Sequence, residues 1–596
     1  MRHPKLRELK TSREMVDVFK GYNRNLRIKD GEFSDMENLS SDCYPVLSVR
    51  KQRRTILDTS KHDGEVTGLI YTDKWGLLHT QGADLYSMGI RIAKMELSEE
   101  PKRFVMMGQY LIILPDMKYI NLGNTQDYGP MGHMVEVTQG KVTFELCNAE
   151  GEVYAGTTVS ENAPSTPADK ALWIDSSATP HVLKQYTAAS KSWTAISTTF
   201  VKISGLNYGT DGQWFNQYDG VTISGITASG AAHLNGAAVL QTNSNGRSIV
   251  IVGILDETVN QECSVDVPIR VERKIPVMDY VIEAGNRLWG CRCGENGDGE
   301  FVNEIYASKL GDFKNWNCFM GISTDSWVGS IGSSGAFTGA ANVGGYPVFY
   351  KADMRHKVWT SGAGAHQIAS VPCQGVQAGC GGSVATMDGV AIYKSYTGFC
   401  MDDGSGPVEI GECFAGARYE SAIGCVHGHK YYVSMENGEG WHLFVYDAEK
   451  KLWHREDDFH AVSFSSSIGC VMAAEAGSQK LIDMNGGIEQ DGGMEDHVRW
   501  MAETGEIGLD SPDTKYISRL TLRLSMEVGA EMTLYAQYDM EPEWVALGSI
   551  RGTSLHSFSL PVRPRRCDHL RLRLEGEGDV KLYSITKTIE EGSEIS

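Results

Sequence analysis

Hydrophobic positions along this chain come in short runs separated by turn-forming residues, and through the middle third the runs recur as a unit. Each unit is an apolar strand, a tight turn at Gly or Asn, and a second strand rich in aromatics. YVIEAGNRLWGCR at 280–292, PVFYKADMRHKVWTSG at 347–362, VATMDGVAIYKSY at 384–396 and AIGCVHGHKYYVSME at 422–436 are copies, and the last runs on into LFVYDAEKKLWHRED at 443–457. Weaker copies stand at 68–89 and 103–123, and a last one at 461–487. A repeat spaced by roughly 35 to 50 residues is the mark of a solenoid or propeller. About seven units fall in the propeller range, where closing the ring removes the exposed sheet edge.

Elsewhere the pattern changes. From 130 to 275 the strands alternate and are rich in Thr, Ser and Val, as in VEVTQGKVTFELCN and SIVIVGIL. This predicts a small β-sandwich or barrel inserted into the array, at one of the surface turns that tolerate insertion. After 495 the alternation is strict: Leu520, Leu522 and Leu524 face one way, Arg519, Thr521 and Arg523 the other. Six such strands predict a C-terminal β-sandwich of jelly-roll type. The opening residues mix turn formers with single hydrophobic anchors and predict an extended arm. The expected organisation is therefore all-β: an arm over 1–60, first propeller blades over 61–129, an inserted β-domain over 130–275, the remaining blades over 276–494, and a β-sandwich over 495–596.

Composition narrows what this scaffold can do. Glycine is abundant, at 66 residues, which suits many turns. A net charge of -21 argues against gripping nucleic acid by its phosphates, yet suits a surface past which DNA slides. The 13 cysteines sit mostly inside apolar strands with no framework spacing, which predicts reduced thiols and folding in a cytosol. The first residues lack an apolar signal segment, and no run of apolar residues is long enough to span a membrane.

The search for chemistry returns little. Phosphate-loop and nucleophile-elbow patterns are absent, and the Gly-rich 379–382 precedes a strand rather than a helix. Cys291 and Cys293, and His427 and His429, are close pairs without a further ligand at metal-site spacing. The acidic candidates for glycoside chemistry, Asp402, Asp403, Asp447, Glu456, Asp457 and Asp458, each sit beside a turn, where Asp caps the local backbone. Trp289, Trp316, Trp327, Trp359, Trp441 and Trp453 read as packing between blades in preference to sugar stacking. No catalytic residue, cofactor or metal site is expected.

Taken together, Gly21, Asn23, Gly31, Asn38, Arg50 and Arg53 near the start, then Asn286, Arg287, Leu288, Trp289, Tyr306, Ser308, Asp312 and Trp316 in the repeats, carry a resemblance. The chain resembles structural proteins of tailed bacteriophages, most of all the tail nozzle, or tail tubular protein B, family of short-tailed phages. That resemblance implies a non-enzymatic virion protein, folded in the host cytoplasm. It would form a homo-hexameric tube on the portal or head–tail adaptor side of the tail, with DNA passing down the lumen and fibres or spikes as further neighbours. It also predicts acidic residues on the lumen face. The basic cluster Arg50, Lys51, Arg53 and Arg54 is then a candidate contact to an acidic neighbour, with a solvated loop as the alternative; Arg563, Arg565 and Arg566 are a second such cluster. A receptor- or carbohydrate-binding tail protein, using the inserted or C-terminal β-domain, is the competing reading.

Overall fold

The computed structural model describes residues 11–206, 215–244, 247–362, 364–486, 495–508, 515–552, 556–560, 567 and 569–591. The architecture is all-β: a β-propeller, an inserted β-domain and a C-terminal β-sandwich. The chain divides into two compact units, one of residues 1–104, 335–357 and 369–596, the other of 105–334 and 358–368.

The repeat units are four-stranded antiparallel blades. In chain order they cover 66–94, 103–130, 280–330, 337–372, 385–409, 421–455 and 461–483. The last of these has only three strands of its own, Ala461–Ser466, Val471–Glu475 and Lys480–Asp483, and its fourth is Arg54–Asp58 from near the start of the chain. Within the first unit the leading strands of successive blades touch in series: Phe337–Val343, Ala385–Met387, Ser421–His427, Ala461–Ser466 and Val66–Thr72. At the last of these seams the backbone amides of Leu69 and Tyr71 donate to Ser463 Oγ and Ser465 Oγ, at 3.0 and 2.7 Å. Small hydroxyl side chains there let neighbouring strands approach closely while pairing their polar groups.

The sandwich is also assembled from both ends of the chain. One sheet runs Leu39–Ser40, Leu47–Val49, Val580–Glu591, Lys515–Met526, His556–Leu560, with Thr11–Val16 also paired to Val580–Glu591. The other runs Gly21–Tyr22, Glu32–Glu37, Arg499–Thr504, Leu570–Glu577, Glu531–Tyr538, Val545–Arg551. The expected alternation holds: Leu520, Leu522 and Leu524 are buried, whereas Arg519 and Arg523 are exposed. The arm expected over 1–60 is corrected. Its single hydrophobic anchors Phe19, Tyr22, Phe33, Met36, Leu39 and Leu47 all lie in one core with Leu522, Leu572 and Leu582. They read as isolated because the strands of Phe33, Met36 and Leu47 pair with Thr504, Ala502 and Leu582, at the other end of the sequence.

That core continues into two blades through Phe399, Phe414, Phe444 and Trp453, with Phe399 and Trp453 rings 4.6 Å apart. Close approach here explains Gly21. Its φ is +82°, and a Cβ would stand 2.3 Å from the Trp453 carbonyl oxygen, so a larger residue is excluded by both backbone conformation and space.

In the second unit the inserted domain forms one eight-stranded sheet, from His133–Val137 to Val259–Cys263 in sheet order, around Phe144, Val201, Ile203, Ile251 and Val271. A separate four-stranded sheet spans 158–195. The insertion is tied to the loop that follows strand Phe301–Ala307. Asn315 accepts from the Gly220 amide at 3.0 Å and donates to the Tyr218 carbonyl at 2.7 Å. A Cβ on Gly220 would meet the Asn317 carbonyl oxygen at 1.9 Å, so the two backbones are in direct contact.

Candidate functional site

The basic cluster is placed differently from either expectation. Arg50 and Arg53 are 7% exposed each and are neither a solvated loop nor a free docking patch. The backbone from Asn38 to Arg53 runs past the last blade-six strand, and Asn38 anchors it. Asn38 takes a left-handed φ of 56°, donates its amide to the Glu456 carbonyl at 2.9 Å and its side chain to the Arg499 carbonyl at 2.8 Å, and accepts Arg50 Nε at 2.7 Å. Arg50 then forks onto Glu495, with contacts of 2.7 and 3.0 Å. Arg53 forks onto Asp457 at 2.6 and 3.0 Å and reaches Glu456 at 2.8 Å. Planar two-pronged pairing of this kind is what guanidinium supplies and ammonium does not.

The electrostatics follow. Burial pushes the Asp457 carboxyl up, but the paired Arg53 overcomes it and holds the group below the ordinary carboxylate range. Burial likewise disfavours charge on Arg53, and Asp457 and Glu456 reverse that and raise its pKa. The acidic neighbour proposed for these arginines is thus part of the same chain. Lys51 is exposed, and Arg54 lies in the closing strand Arg54–Asp58. Arg563, Arg565 and Arg566 lie outside the described residues.

The remaining acidic candidates are also engaged. Asp402 is fully buried and accepts from Arg355 at 2.6 Å, the Gly404 amide at 2.9 Å and the Tyr350 hydroxyl at 3.0 Å. Asp403 caps a turn through Ser405. Asp447 accepts from Ser41 Oγ at 2.6 Å and the Lys450 amide at 3.0 Å. Asp403 and Asp458 are exposed; Asp458, its side chain 72% exposed, orients His442 Nδ1 at 2.8 Å while also receiving Arg455 at 2.8 Å. Each of these carboxylates is oriented by partners within the chain.

Among the described residues no group of three or more His, Cys, Asp or Glu is placed to hold a metal ion. His427 and His429 stand at a strand end and its turn, with His429 3.8 Å from Glu449. Trp289, Trp316 and Trp453 are core residues, each indole donating to a backbone carbonyl. Trp441 stacks on His460 at 3.8 Å, and Trp359 is exposed. The motif residues of the repeats are structural too. Arg287 is buried and donates to the Ser308, Asp325 and Ser323 carbonyls at 2.6, 2.6 and 2.7 Å, and Ser308 Oγ accepts the Leu288 amide at 3.0 Å.

One feature was not anticipated by the sequence. Beside His442, a cleft of about 450 Å³ opens between blade six and the sandwich, with Tyr22, Tyr419 and Phe444 beneath it and Arg24, Glu439 and Glu506 around it. These residues are scattered over more than four hundred positions and share no motif, so only the fold brings them together.

No family model matches the chain, and no curated protein matches it. Solved structures resemble it weakly. An exo-β-1,3-galactanase from Phanerochaete chrysosporium is 10% identical over 52% of this chain and 94% of its own, with a TM-score of 0.21. PorZ, a surface component of the type-IX secretion system of Porphyromonas gingivalis, is 10% identical over 88% and 82%, with a TM-score of 0.24. The β-propeller domain of the Trilobed protease from Pyrococcus furiosus is 11% identical over 53% and 92%, with a TM-score of 0.22. A fold does not fix a function, so the architecture alone does not choose between an enzyme and a non-enzyme.

Proposed function

We propose that the chain is a structural subunit of a phage virion tail, without enzymatic activity. It assembles into a homo-hexameric nozzle on the portal or adaptor side, through which DNA passes unbound. The observation that carries this reading is the use made of residues 11–58. They supply five strands to the two sheets of the sandwich and the closing strand of a blade, with the Arg50 and Arg53 ion pairs at the junction. A subunit clamped in this way, with its buried carboxylates committed to internal partners, is suited to bearing load in a ring. A net charge of -21 leaves a channel wall that does not hold DNA. Closed cyclic assembly from one repeated contact is the usual form of a homo-oligomer.

Electron microscopy and mass measurement on the purified protein test this directly. The expected result is a six-fold ring with an open axial channel. A monomer at micromolar concentration, or a three-fold spike, overturns it.

A further inference from the structure

We propose that the cleft between blade six and the sandwich is a binding site for a neutral, hydroxyl-rich ligand, a short oligosaccharide. Its volume of about 450 Å³ falls within the range of built ligand pockets and accommodates two or three sugar rings.

Charge excludes other classes. Arg455 is paired with Asp35 at 3.4 Å and Asp458 at 2.8 Å, and Arg571 with Glu503. The cations of the cleft are therefore largely neutralised, and Glu439 and Glu506 line it together with the remaining Arg24. A phosphate or a nucleic acid finds no excess of positive charge here. An apolar ligand would strand the polar wall without partners.

What remains fits hydroxyl groups, which both donate and accept. The Tyr22 and Tyr419 rings are buried, 5% and 2% exposed, in an aromatic cluster with Phe444 at 5.5 and 5.9 Å. Both line the cleft, and neither hydroxyl has a hydrogen-bond partner among the described residues. Burial raises both phenols, Tyr22 to about 12, so they enter any complex protonated and able to donate. Glu439 and Glu506 carry side-chain oxygens with no partner among the described residues and supply acceptors. His442 is fixed by Asp458 on Nδ1. The phenols are held by packing before any ligand arrives, so little side-chain freedom is lost on binding.

The test is saturation-transfer NMR and calorimetry on the full chain with maltotriose, cellotriose and triacetylchitotriose, and with inorganic phosphate as the charged probe. At least one neutral trisaccharide should bind. The Tyr22→Phe/Tyr419→Phe double variant removes only two oxygens from well-packed rings, and should weaken that binding by about tenfold or more through loss of two hydrogen bonds. Its melting temperature should stay unchanged, and ring assembly should be unaffected. Absence of binding by all three sugars at millimolar concentration overturns the proposal, as does binding that the double variant retains in full or that phosphate displaces.

Discussion

A blade and the sandwich solve the same problem, burying one face of a β-sheet, with opposite use of the sequence. In blade six, four strands from Ser421–His427 to Leu452–Arg455 follow one another, and each pairs with the next, for example Tyr432 with Val445. In the sandwich, Val16 pairs with Ile585 and Glu37 with Met501. Local pairing makes a blade complete within about forty residues. The sandwich exists only when both chain ends have met, and that closure costs more conformational entropy before any contact forms. The lesson is that a blade such as the sixth is complete within its own stretch of sequence, while the opening segment supplies the strands that tie the two chain ends together.

The largest effect should come from removing residues 1–49. That deletion strips the strands Thr11–Val16, Gly21–Tyr22, Glu32–Glu37, Leu39–Ser40 and Leu47–Val49 from both sheets, and with them Phe19, Phe33 and Met36 from the shared core. Calorimetry should show loss of the main cooperative transition, accompanied by binding of a hydrophobic dye. A truncated chain that melts like the intact one would dissolve the contrast between the two regions.

Next in size is Arg53→Met. It strips Glu456 and Asp457 of their nearest cation, in a site where both are largely buried, and leaves only Arg50 at 3.9 and 3.6 Å. Breaking a buried ion pair on one side typically costs about 3–5 kcal/mol. Denaturant unfolding should show a loss of that size. A change below about 1 kcal/mol, the scale of an exposed pair, would mean the junction is solvated.

These two contrasts also explain what could be read in advance. Blades announce themselves, because AIGCVHGHKYYVSME holds strand, turn and strand within one window. The alternation after 495 is equally local. Phe33, Met36 and Leu47 carry no periodicity, since each sits in a short strand paired hundreds of residues away, with Thr504, Ala502 and Leu582. Arg50 and Arg53 were visible as a basic run, but the carboxylates that neutralise them, at 456, 457 and 495, come from elsewhere in the chain. Charge clusters in sequence look free for that reason. The cleft was illegible altogether: Tyr22, Tyr419 and Glu506 acquire a shared meaning only when the sandwich docks on blade six.

Acid should act on the blades before it reaches the junction. His79 in blade one is fully buried, with neither ring nitrogen hydrogen-bonded among the described residues, and burial pulls its pKa down to about 4. In the unfolded chain it titrates near 6.5. The unfolded state therefore binds the extra proton first. The stability is fully present above about pH 6.5 and is lost as pH falls toward 4, by on the order of 3 kcal/mol. His454 in blade six behaves alike, with burial pulling it to about 3. Asp457 and Glu495, held below their ordinary values by the arginines despite burial, give up their contribution only at lower pH. Urea unfolding between pH 7 and 4 should show this fall, and His79→Phe should flatten it. A His79→Phe slope identical to that of the parent chain would remove blade one from the account.

The smallest stability effect separates structure from assembly. Replacing Arg50, Lys51, Arg53 and Arg54 together cannot report on an interface, because two of the four are buried in ion pairs within the same chain. Lys51 alone is exposed beside them. Lys51→Ser should change unfolding by no more than about 0.5 kcal/mol, as for an ordinary surface site, whereas Arg50→Ser should destabilise on the scale of Arg53→Met. If Lys51→Ser also leaves ring formation intact, the basic run has no role beyond clamping the junction. If it blocks the ring while the melting temperature holds, the run acts in two directions: its arginines inward to Glu495 and Asp457, and its lysine outward to a neighbouring subunit.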